Sequence, residues 1–467
     1  MDSQKKMLSS IPQVDLLMRQ PLLMQAQARY GKAQVTAVIR SYLQDLRVEI
    51  MSGKKSSVPT AEELCNAIYI QLERKEKPAL FRVINATGVA LHTNLGRAPL
   101  AESAIQAVAT AAKYCNLEYD VEHGGRGSRN DLVEPLLCEI CGSEAAMVVN
   151  NNAAALLLAL STFSFGKEIP VSRGELVEIG DSFRIPDIMA QSGGTLAEVG
   201  TTNKTHLSDY ETALNTKNVG LLLKVHTSNY RVVGFTESVS VRDLSALAKT
   251  HGVPLLVDLG SGALLESSEY PFNEPTVPQI LRDGADLVCF SGDKLMGGPQ
   301  AGVLLGKREL IRKMRKNPLA RALRIDKLSL AALEATLRLY RDSAHAKQNV
   351  PVLRMLCASK QELLEKPNTL SQLLVQSAAR AQFAVLPVSR PVGGGSAPDQ
   401  ELESFAVAVL PETMTVSALE ERLRTAPVPI IARIADSRLL MDIATLETDD
   451  FATIVDQIEA IGKESTQ

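Results

Sequence analysis

The chain carries a series of short runs that are apolar at nearly every position: "AAMVVN" (145–150), "LVEIG" (176–180), "GTLAEVG" (194–200), "VGLLLKVH" (219–226), "PLLVDLG" (254–260), "DLVCFSG" (286–292) and "AGVLLG" (301–306). A strand with one wet face alternates apolar and polar residues, whereas an uninterrupted apolar run has both faces covered. The stretches between the runs are long enough for helices. The pattern therefore predicts an α/β fold built on a largely parallel sheet. Sheets of that kind hold ligands at the carboxyl ends of their strands.

The flanking regions read differently. Residues 1–75 are expected to be helical, with Val35, Val38, Ile39, Tyr42 and Leu46 at helical spacing and Thr60 as an N-cap. Arg40, Arg47 and Lys54, spaced by sevens, line a different face. Residues 1–80 hold 12 Lys/Arg against 8 Asp/Glu, a basic bias within a chain of net charge -3. Residues 76–342 form the expected large domain, closed by the helical stretch "KLSLAALEATLRLYRD" (327–342). Residues 343–467 are expected as a smaller α+β domain with strands at "FAVAVL" and "PIIARI". Its "VGGGSAPDQ" (392–400) reads as a flexible loop and not a phosphate cradle, because no strand leads in and no GK[ST] follows.

Several classes are set aside. Six cysteines in 467 residues make no disulfide scaffold. Cys138 and Cys141 form a C-x-x-C inside "LVEPLLCEICG", which reads as a helix turning apolar residues inward, so no metal is expected. The longest apolar run, "AAALLLAL" from Ala153, is far short of the ~20 residues a bilayer span needs. The opening "MDSQKKMLSS" lacks an apolar signal core, so a cytoplasmic protein is expected, with neither membrane nor DNA as partner.

Asp258 ends one strand and Lys294 follows the next, 36 residues on, room for one crossover that returns both to the same sheet edge. The pair reads either as a salt bridge or as the two anchors of pyridoxal phosphate. The cofactor's aldehyde condenses with a lysine amine, and an aspartate keeps its ring nitrogen protonated. Ser291, Gly292, Gly297 and Gly298 supply close-approach backbone around the lysine. In "VVNNNAAALLLAL" a strand runs through Asn150, Asn151 and Asn152 into a helix, whose first turn offers N–H groups to the cofactor phosphate or is simply capped. Phosphate turn, aspartate strand, lysine strand is the order used by aminotransferase-like enzymes. Asp293, beside the lysine, is a candidate for assisting a leaving group, or a surface aspartate without a role. Arg321 and Arg324, three apart, are expected to point the same way from a helix. Arg97 lies on a glycine turn before another helix.

The stretches "INATGVALHTNLGRAPL" (84–100), "VVNNNAAALLL" (148–158), "VSRGELVEIGDSFRIPDIM" (171–189), "EVGTTNKTH" (198–206), "KVHTSNYRVVGFT" (224–236), "FSGDKLMGGPQAG" (290–302) and "LEATLRLY" (333–340) resemble the bacterial selenocysteine synthase family, along essentially the whole chain. The resemblance implies an aspartate-aminotransferase-like fold and pyridoxal phosphate carried by Lys294 with Asp258, Asn151, Asn152 and Ser291. It implies conversion of seryl-tRNA(Sec) to selenocysteinyl-tRNA(Sec) with selenophosphate, by loss of the serine hydroxyl to an aminoacrylyl-tRNA and addition of selenium. Arg97, Arg321 and Arg324 would surround the selenium donor. A homodecamer built as a ring of dimers is implied, with the N-terminal domain on the tRNA and Arg40, Arg47 and Lys54 contacting phosphates. Phe183 and His226 read either as flanking the cofactor ring, Phe183 by stacking, or as core or loop residues. Two rivals are a pyridoxal phosphate lyase or selenium-transferase-like paralogue acting on a free amino acid, and a non-catalytic tRNA-binding scaffold.

Overall fold

The computed structural model describes residues 2–179, 183–398 and 400–464. It divides into two units, Met1–Arg82 and Val83–Gln467. The expected boundary at residue 75 falls inside a helix that runs to Glu76, and Val83–Gln467 clusters as one unit.

The first unit consists of helices α1 (Asp2–Ser9), α2 (Val14–Met18), α3 (Pro21–Tyr30), α4 (Lys32–Met51) and α5 (Ala61–Glu76). They enclose a core that includes Leu23, Val35, Ile39, Leu43, Leu46, Ile50, Leu64, Ile68 and Leu72. Leu43 takes the buried position on α4 that the spacing assigns to Tyr42, which is half-buried. Thr60 caps α5 in a reciprocal box: Glu63 N–H donates to its hydroxyl (3.2 Å) and its own N–H donates to the Glu63 carboxylate (2.7 Å). Arg40 and Arg47 are exposed on α4; Lys54 is exposed in the turn beyond it, so the spacing by sevens outruns the helix.

In the second unit the apolar runs become β1 (Ala145–Val149), β3 (Thr195–Val199), β4 (Leu222–Val225), β5 (Leu255–Gly260), β6 (Leu287–Ser291) and β7 (Gly302–Gly306). The central sheet has the order β1-β7-β6-β5-β4. Strands β4, β5 and β6 are mutually parallel, and β7 runs antiparallel between β6 and β1. Strand β2 (Glu168–Ser172) pairs in parallel with β3 and touches the lead-in to β4 through a bridge from Glu168 to Val219. The run at 176–180 contributes only Glu178–Ile179, paired outside this sheet; Gly180 lies outside the described residues.

Both faces of the sheet are covered, as uninterrupted apolar runs require. Leu255, Val257 and Leu259 of β5 enter one core with Val288, Phe290, Val303 and Leu305. Leu256 enters another with Leu287, Cys289, Leu304, Leu221 and Leu223. Between Asp258 and Gly260 the pairing with β6 slips by one residue, leaving Leu259 as a bulge beside the site.

The C-terminal portion is an antiparallel sheet of β8 (Ala381–Pro391), β9 (Glu401–Pro411), β10 (Arg433–Ala435) and β11 (Arg438–Asp442), in the order β8-β9-β11-β10. Ile84 and Ala86, expected in the large domain, belong to this portion's core, and Ile84–Asn85 pairs in parallel with Ile430–Ile431. Among the described residues no helix is long and apolar enough to cross a membrane.

Candidate active site

Strands β1, β4, β5 and β6 end at one edge of the sheet, and the polar residues that follow them converge there. Lys294 is 7% exposed, in the turn between β6 and β7. That turn is fixed by the Leu295 N–H donating to the Ser261 carbonyl (3.0 Å) and the Tyr340 hydroxyl to the Met296 carbonyl (2.8 Å). Among the described residues the Lys294 amine makes no hydrogen bond or ion pair. Burial pushes its proton affinity below the ordinary lysine range, with the nearby Asp258 carboxyl pulling the other way and Arg97 adding to the fall. Among the described residues Lys294 and Asp258 form no salt bridge, and a buried amine biased toward its neutral form is suited to nucleophilic chemistry.

Asp258 is 5% exposed on β5. Its Oδ1 accepts from the Asn152 side-chain amide at 2.9 Å. Burial pushes its carboxyl upward, against the Asn152 hydrogen bond and the Lys294 charge. Among the described residues the opposite oxygen of Asn152, the Ser261 hydroxyl, His226 Nδ1 and Glu274 Oε1 are buried and make no hydrogen bond of ordinary length. Orphaned polar atoms at this density mark the lining of a polar ligand's seat. A flat heterocycle that offers an aldehyde to Lys294 and a cationic ring nitrogen to Asp258 fits this donor and acceptor set.

Asn151 does not aim its side chain outward. Its carboxamide oxygen caps the helix Asn152–Phe163 by accepting from the Ala154 N–H at 2.8 Å. Asn152 turns to Asp258. Any anion at this helix start therefore meets backbone N–H groups and not the asparagine side chains.

Ser291 donates to Asp293 Oδ1 at 2.7 Å, and Arg97 Nη1 holds Asp293 Oδ2 at 2.8 Å. Asp293 is 7% exposed, so the surface-residue reading does not hold, and both of its oxygens are engaged. Arg97 follows Gly96 in a left-handed turn, at φ 61°, a conformation unusual for a residue with a side chain.

Arg321 and Arg324 line a cleft of about 370 Å³ with Arg126, Arg129, Arg315 and Glu118; Arg97 does not line it. The two arginines do not share a helix: Leu319–Ala322 ends before Arg324, whose backbone bridges to Val149 at the end of β1. Glu118 draws the arginines together, accepting from Arg129 Nε at 2.6 Å and Arg324 Nη1 at 3.1 Å.

Gly297 and Gly298 serve packing rather than the lysine: a Cβ at Gly297 would stand 2.3 Å from Val350 and one at Gly298 2.5 Å from Met296. Gly395, in the stretch expected to be a flexible loop, lies closest to the amine, with an added Cβ 2.7 Å from it against 3.9 Å at Gly260. There Val392, Ser396 and Ala397 are at most 3% exposed. His226 follows β4, and burial, with the Lys224 charge, lowers its proton affinity to about 4. The side chain of Phe183 lies outside the described residues.

Sequence comparison agrees with this geometry. The family model for L-seryl-tRNA selenium transferase matches residues 83–447, and the one for the selenocysteine synthase N terminal matches residues 8–47. The L-seryl-tRNA(Sec) selenium transferase of Carboxydothermus hydrogenoformans is 46% identical over 445 residues, 95% of either chain. That of Geobacter sulfurreducens is 46% identical over 457 residues, 97% of this chain and 99% of its own. Among solved structures, D-glucosaminate-6-phosphate ammonia-lyase superposes with a TM-score of 0.55 at 20% identity, over 86% of this chain and 99% of its own, a likeness of fold. With Lys294 and Asp258 brought to one edge of its sheet, the chain belongs to the L-seryl-tRNA(Sec) selenium transferase family, whose enzymes use pyridoxal phosphate.

Proposed function

We propose that this chain converts L-seryl-tRNA(Sec) to L-selenocysteinyl-tRNA(Sec), with selenophosphate as selenium donor, in the cytoplasm. The observation that carries the reading is Lys294, a buried amine without a partner among the described residues, at the edge where Asp258 also ends. Near-full-length identity of 46% to relatives bearing that name supports the substrate.

Bound pyridoxal phosphate would supply an electron sink that makes the serine Cα proton removable and the β-hydroxyl expellable. Lys294 would carry the cofactor and, once released, take the Cα proton at Nζ; its lowered proton affinity suits it to that task. Asp258 would keep the proton on the ring nitrogen, oriented by the Asn152 amide. The helix start at Asn151 and Asn152 would receive the phosphate through backbone N–H groups. Ser291 and Arg97 hold Asp293 next to Lys294, where its charge would favour the protonated amine after Cα deprotonation.

The cleft of Arg321 and Arg324 offers planar, paired donors to a small polyanion, and its contact with the end of β1 supports it as the donor's entry. The N-terminal unit would bind the tRNA, with Arg40, Arg47 and Lys54 exposed for phosphate contacts. A homodecamer fits a protomer that leaves Val233 84% and Phe235 90% exposed, large apolar side chains that a neighbouring copy would cover.

The test is conversion itself: purified protein with pyridoxal phosphate, selenophosphate and seryl-tRNA(Sec) should yield selenocysteinyl-tRNA(Sec). Equal turnover of free serine would favour the free-amino-acid rival, and tRNA binding without turnover would favour the scaffold.

A further inference from the structure

Two segments distant in sequence are clasped together beside Lys294. The Gln400 side chain donates to the Asn273 carbonyl (2.7 Å) and accepts from the Asn273 N–H (2.8 Å). One residue along, the Glu274 carboxyl accepts from the Ala397 N–H at 3.1 Å. The loop held in this way presents Gly395, where an added Cβ would lie 2.7 Å from the Lys294 amine. Glu274 is 1% exposed; among the described residues its Oε1 makes no hydrogen bond of ordinary length, while the nearby Ser261 hydroxyl acts on the carboxyl against the effect of burial. His226 Nδ1, 3.9 Å from that oxygen, is also buried and likewise makes no such bond among the described residues.

We propose that Glu274 is a positioning residue for Lys294 that works as an uncharged acid, one oxygen seating the 393–397 loop against the amine and the other directing its proton to His226 Nδ1. The proposal rests on the functional reading above. The groups facing Glu274 are the Ser261 hydroxyl, the Ala397 N–H, His226 and, at longer range, Lys294; Lys224 and Lys294 bear on His226. Burial raises the carboxyl's proton affinity and lowers that of the imidazole to about 4, so a proton placed between the two atoms rests on the carboxyl side and the ring presents a lone pair. Closure by roughly 1 Å would complete that hydrogen bond. A carboxylate in its place would favour the ammonium form of Lys294, whereas an uncharged acid leaves the amine free to react.

Glutamine reproduces an uncharged acid at this position, offering a carbonyl to Ala397 and an N–H to His226. Glu274→Gln and Glu274→Ala holoenzymes would be compared with wild type for turnover of seryl-tRNA(Sec) and for hydrogen exchange of the 394–397 amides. Glu274→Gln should stay within about threefold of wild-type kcat, while Glu274→Ala loses about tenfold or more in kcat with KM for seryl-tRNA within about twofold. Exchange of the Ala397 amide should quicken about tenfold in Glu274→Ala and hold in Glu274→Gln. Equal impairment of the two variants would overturn the proposal by showing that a charge is needed. Unchanged exchange in Glu274→Ala would overturn it by showing that the loop is seated otherwise. A wild-type protein that fails to turn over seryl-tRNA(Sec) would sink the functional reading instead, and the exchange comparison would still judge the latch.

Discussion

Lys294 and Asp258 are legible in the sequence because each closes an apolar run, and the chemistry of a lysine in such a setting is narrow. Glu274 is not: it lies outside the apolar runs and meets Ala397, 123 residues away, only through the fold. His226 has no sequence signal for its proton affinity, which burial and Lys224 set at about 4 against an ordinary 6.5. The sign of the consequence follows from proton counts. Between those values the unfolded chain binds the proton and the folded protein does not, so stability should fall as pH drops through 6.5 toward 4. The full contribution is on the order of 3 kcal/mol. Glu274, raised by burial, has the opposite sense and is stabilising toward lower pH. Urea unfolding of wild type and His226→Gln across this range isolates the histidine: the variant should lose less stability on acidification. Parallel curves would show that His226 is not held neutral.

At the scale of elements, the central strands declare themselves because burial on both faces leaves no polar alternation to obscure them. Two strands that the apolar runs do not reveal both contain proline. Strand β2 has Pro170, and β8, with Pro387 and Pro391, is the edge strand of its sheet, where a missing N–H is tolerated. The glycine triplet reads as a linker in sequence because glycine is what a mobile loop and a close-packed backbone have in common. At Gly395 the backbone is left-handed, φ +78°, and space beside the lysine is absent. Gly395→Ala should therefore lower stability by about 1 kcal/mol through strain alone. It should also reduce bound pyridoxal phosphate about tenfold by displacing the amine. Absorbance of bound cofactor per protomer checks this, and full loading with an unshifted spectrum would refute a close contact between loop and lysine.

At the scale of the whole molecule, the basic surplus of residues 1–80 reads by charge alone as a solvated helix face, and the tRNA role proposed for the N-terminal unit comes from the family resemblance. Charge counting does not show that Lys54 leaves the helix that carries Arg40 and Arg47. Replacing all three exposed side chains with alanine should weaken tRNA binding and flatten the salt dependence of the binding constant by roughly 2–3 in log–log slope. An unchanged slope would move the contacts elsewhere. The exposure of Phe235 and Val233 has no sequence signal, since apolar residues in sequence read as core. All of these predictions presuppose a cofactor carried at one position. Reducing the yellow holoenzyme with borohydride and sequencing its peptides by mass spectrometry tests that most directly. The account predicts a single reduced pyridoxyl adduct on Lys294, lost in Lys294→Ala; an adduct on another lysine, or none with cofactor in excess, would contradict it.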